Sequence, residues 1–390
     1  MKKSIVALSA LTVAGLASAQ SSVRLFGALD AGVSYYDAKT TNLTTGASTK
    51  QSSWRQSSSG YNSSRLGFLG TEDLGGGLAA GFWLEMGLNN DTGDAGQAAG
   101  VGSGGSTAGV PNTGPALFNR RSTVSLSGPL GEVRLGRDYT PSFWNDTVFD
   151  PFGTNGVGTN LLTSAHTGDL NSIRTSNSVG YFLPADLGGF YGQFQYGISE
   201  NVKTTGVASS DAGRGVAGRL GYTNGPVNLA LAYGQSTVLD IPAISQSKVT
   251  TANLGAHYDF GIIKAFVQLS QIKYTTDFNT PQAGTELKRN GYLIGLTAPV
   301  GPGVIRASYT VAKDSLSGVP DPEASKLSIG YVHNLSKRTA LYATASRINN
   351  KNGQRINFGG SGTAFLTTTP GNVQSAGVAN GYDMGIRHAF

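Results

Sequence analysis

Along most of the chain apolar residues fall at every second position, the period of an extended strand with one apolar and one polar face. The C-terminal stretch shows it most plainly: Val378, Tyr382, Met384, Ile386, His388 and Phe390 share one face, and Gly381, Asp383, Gly385, Arg387 and Ala389 share the other. The same alternation sets Val23, Leu25, Leu29, Val33 and Tyr35 against Arg24, Asp30 and Ser34. It returns at Val124 and Leu126, in 305–311, where Arg306 and Ser308 hold the polar face, and in 327–331. These polar faces carry small and charged side chains suited to water, not to a packed core.

Short connections rich in Gly, Pro, Asn and Asp at 73–77, 128–131, 184–189, 223–226, 259–261, 299–303 and 334–337 predict tight turns. Longer stretches at 37–55, 89–117, 138–171, 199–215, 237–247, 274–285, 312–324 and 349–376 predict loops. Turns and loops alternate strictly, so they separate about sixteen strands, and pairing of the first with the last leaves no free edge. The expected fold is all-β, a transmembrane antiparallel β-barrel of 16 strands with turns on the periplasmic side and loops outside. A barrel of that size leaves an aqueous channel. A soluble β-sandwich or β-helix would also alternate. Against it, aromatics gather at strand ends (Tyr35, Tyr36, Tyr222, Tyr233, Tyr258, Tyr331 and Phe390), where interfacial girdles of a membrane barrel lie.

The N-terminus sets the compartment. Lys2 and Lys3 precede an apolar run over 5–16 closed by Ala17, Ser18 and Ala19, the form of a secretory signal peptide covering 1–19. The run is shorter than the roughly 20 residues a spanning helix needs. A single barrel domain would then occupy 20–390. Loss of the two lysines takes the net charge from +6 to +4, too weak a bias to imply nucleic-acid binding. The absence of cysteine excludes disulfides and thiolate metal sites. His166, His257, His333 and His388 are scattered, and no nucleophile, base and orienting group fall together, so neither an enzyme nor a metal or other cofactor is expected. The glycine run at 100–105 lacks the strand-to-helix context and the lysine of a phosphate-binding loop.

Several segments together, "SSVRLFGALDAGVSYYD", "SSRLGFLGTEDLGGGLAAGFWLE", "RRSTVSLSGPLGEVRLGRD", "YVHNLSKRTALY" and the terminal "GIRHAF", resemble the general porins of beta-proteobacteria, in particular their anion-selective members. The resemblance spans nearly the whole mature chain and is weakest in the loops. It implies a homotrimer in the outer membrane, among lipid and lipopolysaccharide, whose third loop folds into the barrel. Lipid-facing Gly27 and Ala31 would permit close approach between barrels. Terminal Phe390, preceded by Tyr382, Met384, Ile386 and His388, resembles the signal read by the barrel assembly machinery. The third loop, a constriction loop within 138–175, carries Phe143, Trp144, Val148, Phe149, Phe152, Leu161 and Leu162, which need a surface to pack on. The inner wall would supply one.

Selectivity in such a channel follows from pore radius and from charges at the narrowest zone. Arg65, Arg121 and Arg174 take the lumen parity opposite Leu66 and Phe68, Val124 and Leu126, and Val179 and Tyr181. Arg120 adjoins Arg121, and a twist or bulge near the rim keeps both as candidates. The family places a basic ladder at these four positions, and Asp146, Asp150 and Asp169 of the third loop are the candidate acids facing it. The competing readings are structural ion pairing for the arginines and a clamp of loop to wall for the aspartates. Arg137 falls on the lipid parity and reads as a subunit-interface residue or a strand-end cation. The expected function is general diffusion of small hydrophilic solutes and ions with a preference for anions. The alternatives are a cation-preferring or substrate-specific porin, or a loop-based adhesin or receptor barrel. Trp54, Trp83 and Trp144 are too few to form an aromatic slide for one substrate.

Overall fold

The computed structural model describes residues 22–95, 117–163, 173–202, 205, 209–241, 244–278, 284–316, 320–354, 356–358 and 375–390. The expected signal peptide lies outside the described residues. Among the described residues seventeen strand segments follow one another. They are β1 (Ser22–Asn42), β2 (Ser48–Ser58), β3 (Arg65–Gly75), β4 (Leu78–Gly87), β5 (Arg121–Gly128), β6 (Gly131–Tyr139), β7 (Arg174–Phe182), β8 (Phe190–Gly197) and β9 (Gly215–Asn224), then β10 (Val227–Ile241), β11 (Ser245–Asp259), β12 (Lys264–Phe278), β13 (Thr285–Val300), β14 (Gly303–Leu316), β15 (Glu323–Asn334), β16 (Thr339–Lys351) and β17 (Ser375–Ala389).

Segments β2 and β3 are two halves of one barrel strand. The upper half of β1 pairs with β2 up to Ala31 and Ser58, and its lower half pairs with β3 from Ala28 and Arg65. The barrel therefore has sixteen antiparallel strands. It closes where β17 pairs with β1 from Ala28 and Ala389 to Asn42 and Ser375, and where Gly27 and Phe390 exchange backbone hydrogen bonds of 3.2 and 3.1 Å. Closure satisfies every ladder without leaving an edge, the condition for strands in a bilayer.

The two faces reverse the usual order of a soluble protein. Outward-facing Leu25, Val124, Leu231, Leu269, Ile294, Ile329 and Met384 are each more than half exposed, while inward-facing Asp30, Ser34, Asn253, Gln268, Ser308, Thr310 and Ser328 are buried. An apolar band around the outside is stable only against lipid. Aromatics mark its borders: Tyr35, Trp54 and Tyr382 cluster on the outer rim, and Phe190 with Tyr222 and Tyr258 with Phe260 sit by the short turns.

Three expectations need correction. The stretches 37–55 and 237–247 are hairpins, not long loops, since β1 and β2 pair out to Thr41 and Ser48, and β10 and β11 to Ile241 and Ser245. Beyond the lipid band both faces of a strand are polar, so the alternation that marks a strand fades. Tyr36 is not a girdle residue; it faces inward and packs on Phe358, with ring centroids 6.1 Å apart. Gly27 is not open to a neighbouring barrel, because a Cβ there would lie 2.5 Å from the Phe390 ring, which covers it.

Candidate channel constriction

The connection from β6 to β7 enters the barrel as helix α1 (Pro141–Val148). Thr140 caps it, its Oγ1 accepting from Phe143 N at 3.3 Å, and Pro141 supplies a first-turn φ without wasting a donor. After α1, Asp150 turns the chain: its carboxylate accepts from Phe152 N (2.8 Å), Thr154 N (3.3 Å), Asn160 N (3.1 Å) and Asn160 Nδ2 (3.0 Å). A 3-10 turn at Gly156–Gly158 follows.

Both ends of this path are fastened to the inner wall. Near α1, Asn145 Nδ2 donates to Ala230 O and Asn253 Oδ1 at 3.0 Å each, and Arg219 Nε donates to Asn145 Oδ1 at 2.6 Å. Asp146 Oδ1 accepts from Asn253 Nδ2 at 3.0 Å and Gln268 Nε2 at 2.5 Å. Across the lumen, Val157 N donates to Asp383 Oδ2 (2.7 Å), and Lys326 Nζ donates to Thr159 O (2.5 Å). Ser63 Oγ, in the break between β2 and β3, donates to Asn155 Oδ1 at 2.8 Å. That break is itself organised by buried Asp30, which accepts from Tyr61 N, Asn62 N and Tyr342 Oη at 2.8, 2.6 and 2.6 Å.

Apolar loop side chains sit where the wall has no side chain. A Cβ on Gly255 would lie 2.0 Å from Phe149, one on Gly291 2.5 Å from Leu162, and one on Gly295 2.5 Å from Pro151. Phe149, Phe152, Val157, Leu161 and Leu162 are accordingly buried. The loop is a packed partition, not a surface excursion.

Beside it an opening of about 950 Å³ remains, lined among others by Arg65, Arg120, Arg121, Arg174 and Arg306, by Glu85, Asp150 and Asp383, and by the rings of Trp83, Tyr139 and Phe152. Among the described residues, five guanidinium groups against three carboxylates leave an excess of two positive charges at the opening. Each carboxylate is already engaged. Glu85 lies between Arg120 (2.6 Å) and Arg65 (4.0 Å) and accepts from Trp83 Nε1 at 3.1 Å. Asp150 serves its own turn, and Asp383 holds Val157 N and Ser34 Oγ. The arginines lie on aromatic surfaces, Arg121 over Trp83 at 4.5 Å, Arg174 over Tyr139 at 4.7 Å, and Arg306 over both Tyr61 and Phe152 at 4.7 Å. Such stacking holds a planar cation in place without neutralising it.

All four arginines singled out from the sequence meet at this opening. Arg120 and Arg121 both reach it although adjacent, since Arg120 precedes the first residue of β5 and escapes strand parity. Arg121 also lies 3.6 Å from Asp138, which Arg134 contacts at 2.6 Å. The acids are placed differently from the expected row facing the arginines across water. Asp146 is buried against Asn253 and Gln268 and does not line the opening, Asp150 is buried in its turn, and Asp169 lies outside the described residues. Arg137 donates to Asn119 O and Ser176 Oγ, each at 2.7 Å, beside a break in register between β6 and β7, and does not line the opening. Tyr382, Met384, Ile386, His388 and Phe390 are all exposed on the outer face. Arg306, Glu85, Tyr139 and Asp383 also line the opening, and no sequence motif marks them as site residues. Parity alone puts Arg306, Glu85 and Asp383 inside, but nothing in the sequence says which inward residues the loop leaves uncovered.

The family model of Gram-negative porins matches residues 5–353. The chain belongs to the Gram-negative porin family. This porin is 38% identical over 396 residues to outer membrane porin protein 32 of Delftia acidovorans, with both chains covered in full. It is 30% identical to an outer membrane porin protein of Bordetella pertussis, covering 90% of this chain and 95% of that one. Among solved structures, an anion-selective porin from Comamonas acidovorans aligns with a TM-score of 0.74 at 36% identity, over 95% of this chain and all of that one. The protein is thus an outer-membrane porin.

Proposed function

We propose that this porin passes small hydrophilic solutes and ions and prefers anions, with the inward loop within 138–175 and Arg65, Arg120, Arg121 and Arg174 forming the selective zone. Arg306 joins them. The observation that carries the reading is the excess of guanidinium groups at the opening among the described residues, held on aromatic faces while the acids described there, Glu85, Asp150 and Asp383, are tied into the wall, the loop or an ion pair. Asp146 and Asp150 act as clamps of the loop, and the acids at the opening offset part of the arginine charge and leave a net positive field. Likeness to the anion-selective porin from Comamonas acidovorans supports the same sign. Residues 1–19 act as the export signal, 20–390 form the barrel domain, and the porin works as a channel rather than an enzyme, without a cofactor. It assembles as a homotrimer among outer-membrane lipid and lipopolysaccharide after its terminal strand, ending in Phe390, engages the barrel assembly machinery.

The test is single-channel recording in a planar bilayer across a gradient of potassium chloride near 0.1 M. A unit charge about 7 Å from the ion path in a watery lumen is worth about 0.6 kcal/mol, and salt at about 0.1 M roughly halves this. Arg174→Ala should then lower the chloride-to-potassium permeability ratio about three-fold. Arg65→Ala should do less, its charge being shared with Glu85. A wild type that favours potassium, or arginine variants that leave the ratio where it was, would defeat the proposal.

A further inference from the structure

We infer that Tyr139, a neutral residue, tunes the anion preference by holding Arg120 and Arg174 together at the opening; the inference rests on the anion-preferring reading above. Tyr139 ends β6, where the chain enters the loop. Its Oη accepts from Nη2 of Arg120 at 2.6 Å and from Nη2 of Arg174 at 3.2 Å. Two guanidinium groups gathered at one oxygen repel each other, and unless something restrains them two flexible side chains will separate. Glu85 holds Arg120 from one side at 2.6 Å, and the phenol supplies the link between Arg120 and Arg174, since an oxygen with two cationic donors gains charge-assisted bonds from both.

The ring is in turn fixed by α1. It stacks on Phe143 with centroids 5.6 Å apart and planes at 9°, and it meets Trp144 at 5.4 Å. Arg174 also covers its face at 4.7 Å. The loop therefore sets the position of the phenol, and the phenol sets the spacing of two cations on neighbouring parts of the wall. Both acceptor directions of Oη are occupied, and among the described residues no acceptor takes the hydroxyl proton, so the O–H is left to point toward the opening that Tyr139 lines. A small anion arriving between Arg120 and Arg174 then meets a third donor, one that adds no charge. Tyr139 is a positioning residue for the two arginines and a specificity-determining contact for small monovalent anions, with chloride as the probe.

Tyr139→Phe keeps the ring against Phe143 and Trp144 and leaves every formal charge in place. It should lower the chloride-to-potassium permeability ratio about two-fold, less than loss of the Arg174 charge itself, the factor that corresponds to about 0.5 kcal/mol, the lower end of the net worth of one hydrogen bond. Tyr181→Phe, which removes a hydroxyl that donates to Leu130 O on the outer face, is the control and should leave the ratio unchanged. In an Arg174→Gln background Tyr139→Phe should have much less effect, because the cation it positions is gone. A wild type with anion preference and a Tyr139→Phe channel of equal preference would overturn the inference and leave the anion reading standing. Equal effects of Tyr139→Phe in the two backgrounds would also overturn it, and a wild type without anion preference would remove both.

Discussion

Replacing Gly255 with alanine asks whether the constriction loop is held by packing against bare stretches of wall. Gly255 lies on the inner face of β11, and an added Cβ would stand 2.0 Å from Cδ2, 2.4 Å from Cγ and 2.8 Å from Cβ of Phe149. Ordinary carbon contacts are about 3.5 to 4.0 Å, so the ring must withdraw by about 1.5 Å. It has nowhere to go, being fully buried and with its centroid 6.0 Å from that of His257. Overpacking of this kind costs about 1 to 3 kcal/mol. By contrast, the strand itself should gain about 0.5 to 1 kcal/mol from losing a glycine. The loss therefore falls on the loop and not on the barrel. Asn145 and Asp146 hold the loop just before Phe149, so α1 should remain tethered while the stretch after it moves. The expected Gly255→Ala protein keeps wild-type resistance to heat and denaturant but shows an altered open-channel conductance with added flicker, and faster chymotrypsin cleavage within 143–152. Adding Phe149→Ala to Gly255→Ala should restore much of the behaviour, with a coupling of about 1 to 3 kcal/mol between the two changes. If Gly255→Ala matches the wild type in conductance, noise and cleavage, Phe149 does not anchor the loop.

Two further outcomes follow from the same contacts. Burial pushes the Asp146 carboxyl in the loop up to about 7 from an ordinary value of 3.8, so the seated loop favours the protonated acid. This contribution is full below about 3.8 and is lost as pH rises through about 7, so cleavage of the loop, referenced to an exposed site, should be slower at pH 5 than at pH 8. Asp146→Asn, which still offers an oxygen to Asn253 and Gln268, should flatten that profile, and an unchanged slope would count against the assignment. Phe390→Ser removes the ring over Gly27 but leaves the backbone pair, so a folded barrel should keep its conductance. If the terminal residue guides assembly, the amount of Phe390→Ser in the outer membrane should fall several-fold, measured by immunoblot of membrane fractions; equal amounts would assign Phe390 a packing role only.

The period-two pattern of 22–42, 121–128 and 375–389 was enough to establish strands, their two faces and the alternation of turns and loops, because a barrel wall one residue thick exposes each side chain directly to lipid or to the lumen. For the same reason Arg65 and Arg121 could be assigned to the lumen from parity alone. Parity is a local rule, however, and it lapses where a strand begins, bulges or leaves the lipid. Arg120 and the extended hairpins at 37–55 and 237–247 illustrate this, whereas Tyr36, inward beside outward Tyr35, obeys the rule and shows that an aromatic near a strand end is not by that fact a girdle residue. The roles of the aspartates depended on tertiary structure. Whether Asp146 and Asp150 face water or clamp the loop turns on Asn253, Gln268 and Asn160, and two of these lie more than a hundred residues away in sequence. The gathering of Arg120, Tyr139, Arg174 and Arg306 around one opening is likewise beyond any local pattern, since it exists only once the barrel has closed and the loop has covered the rest of the wall.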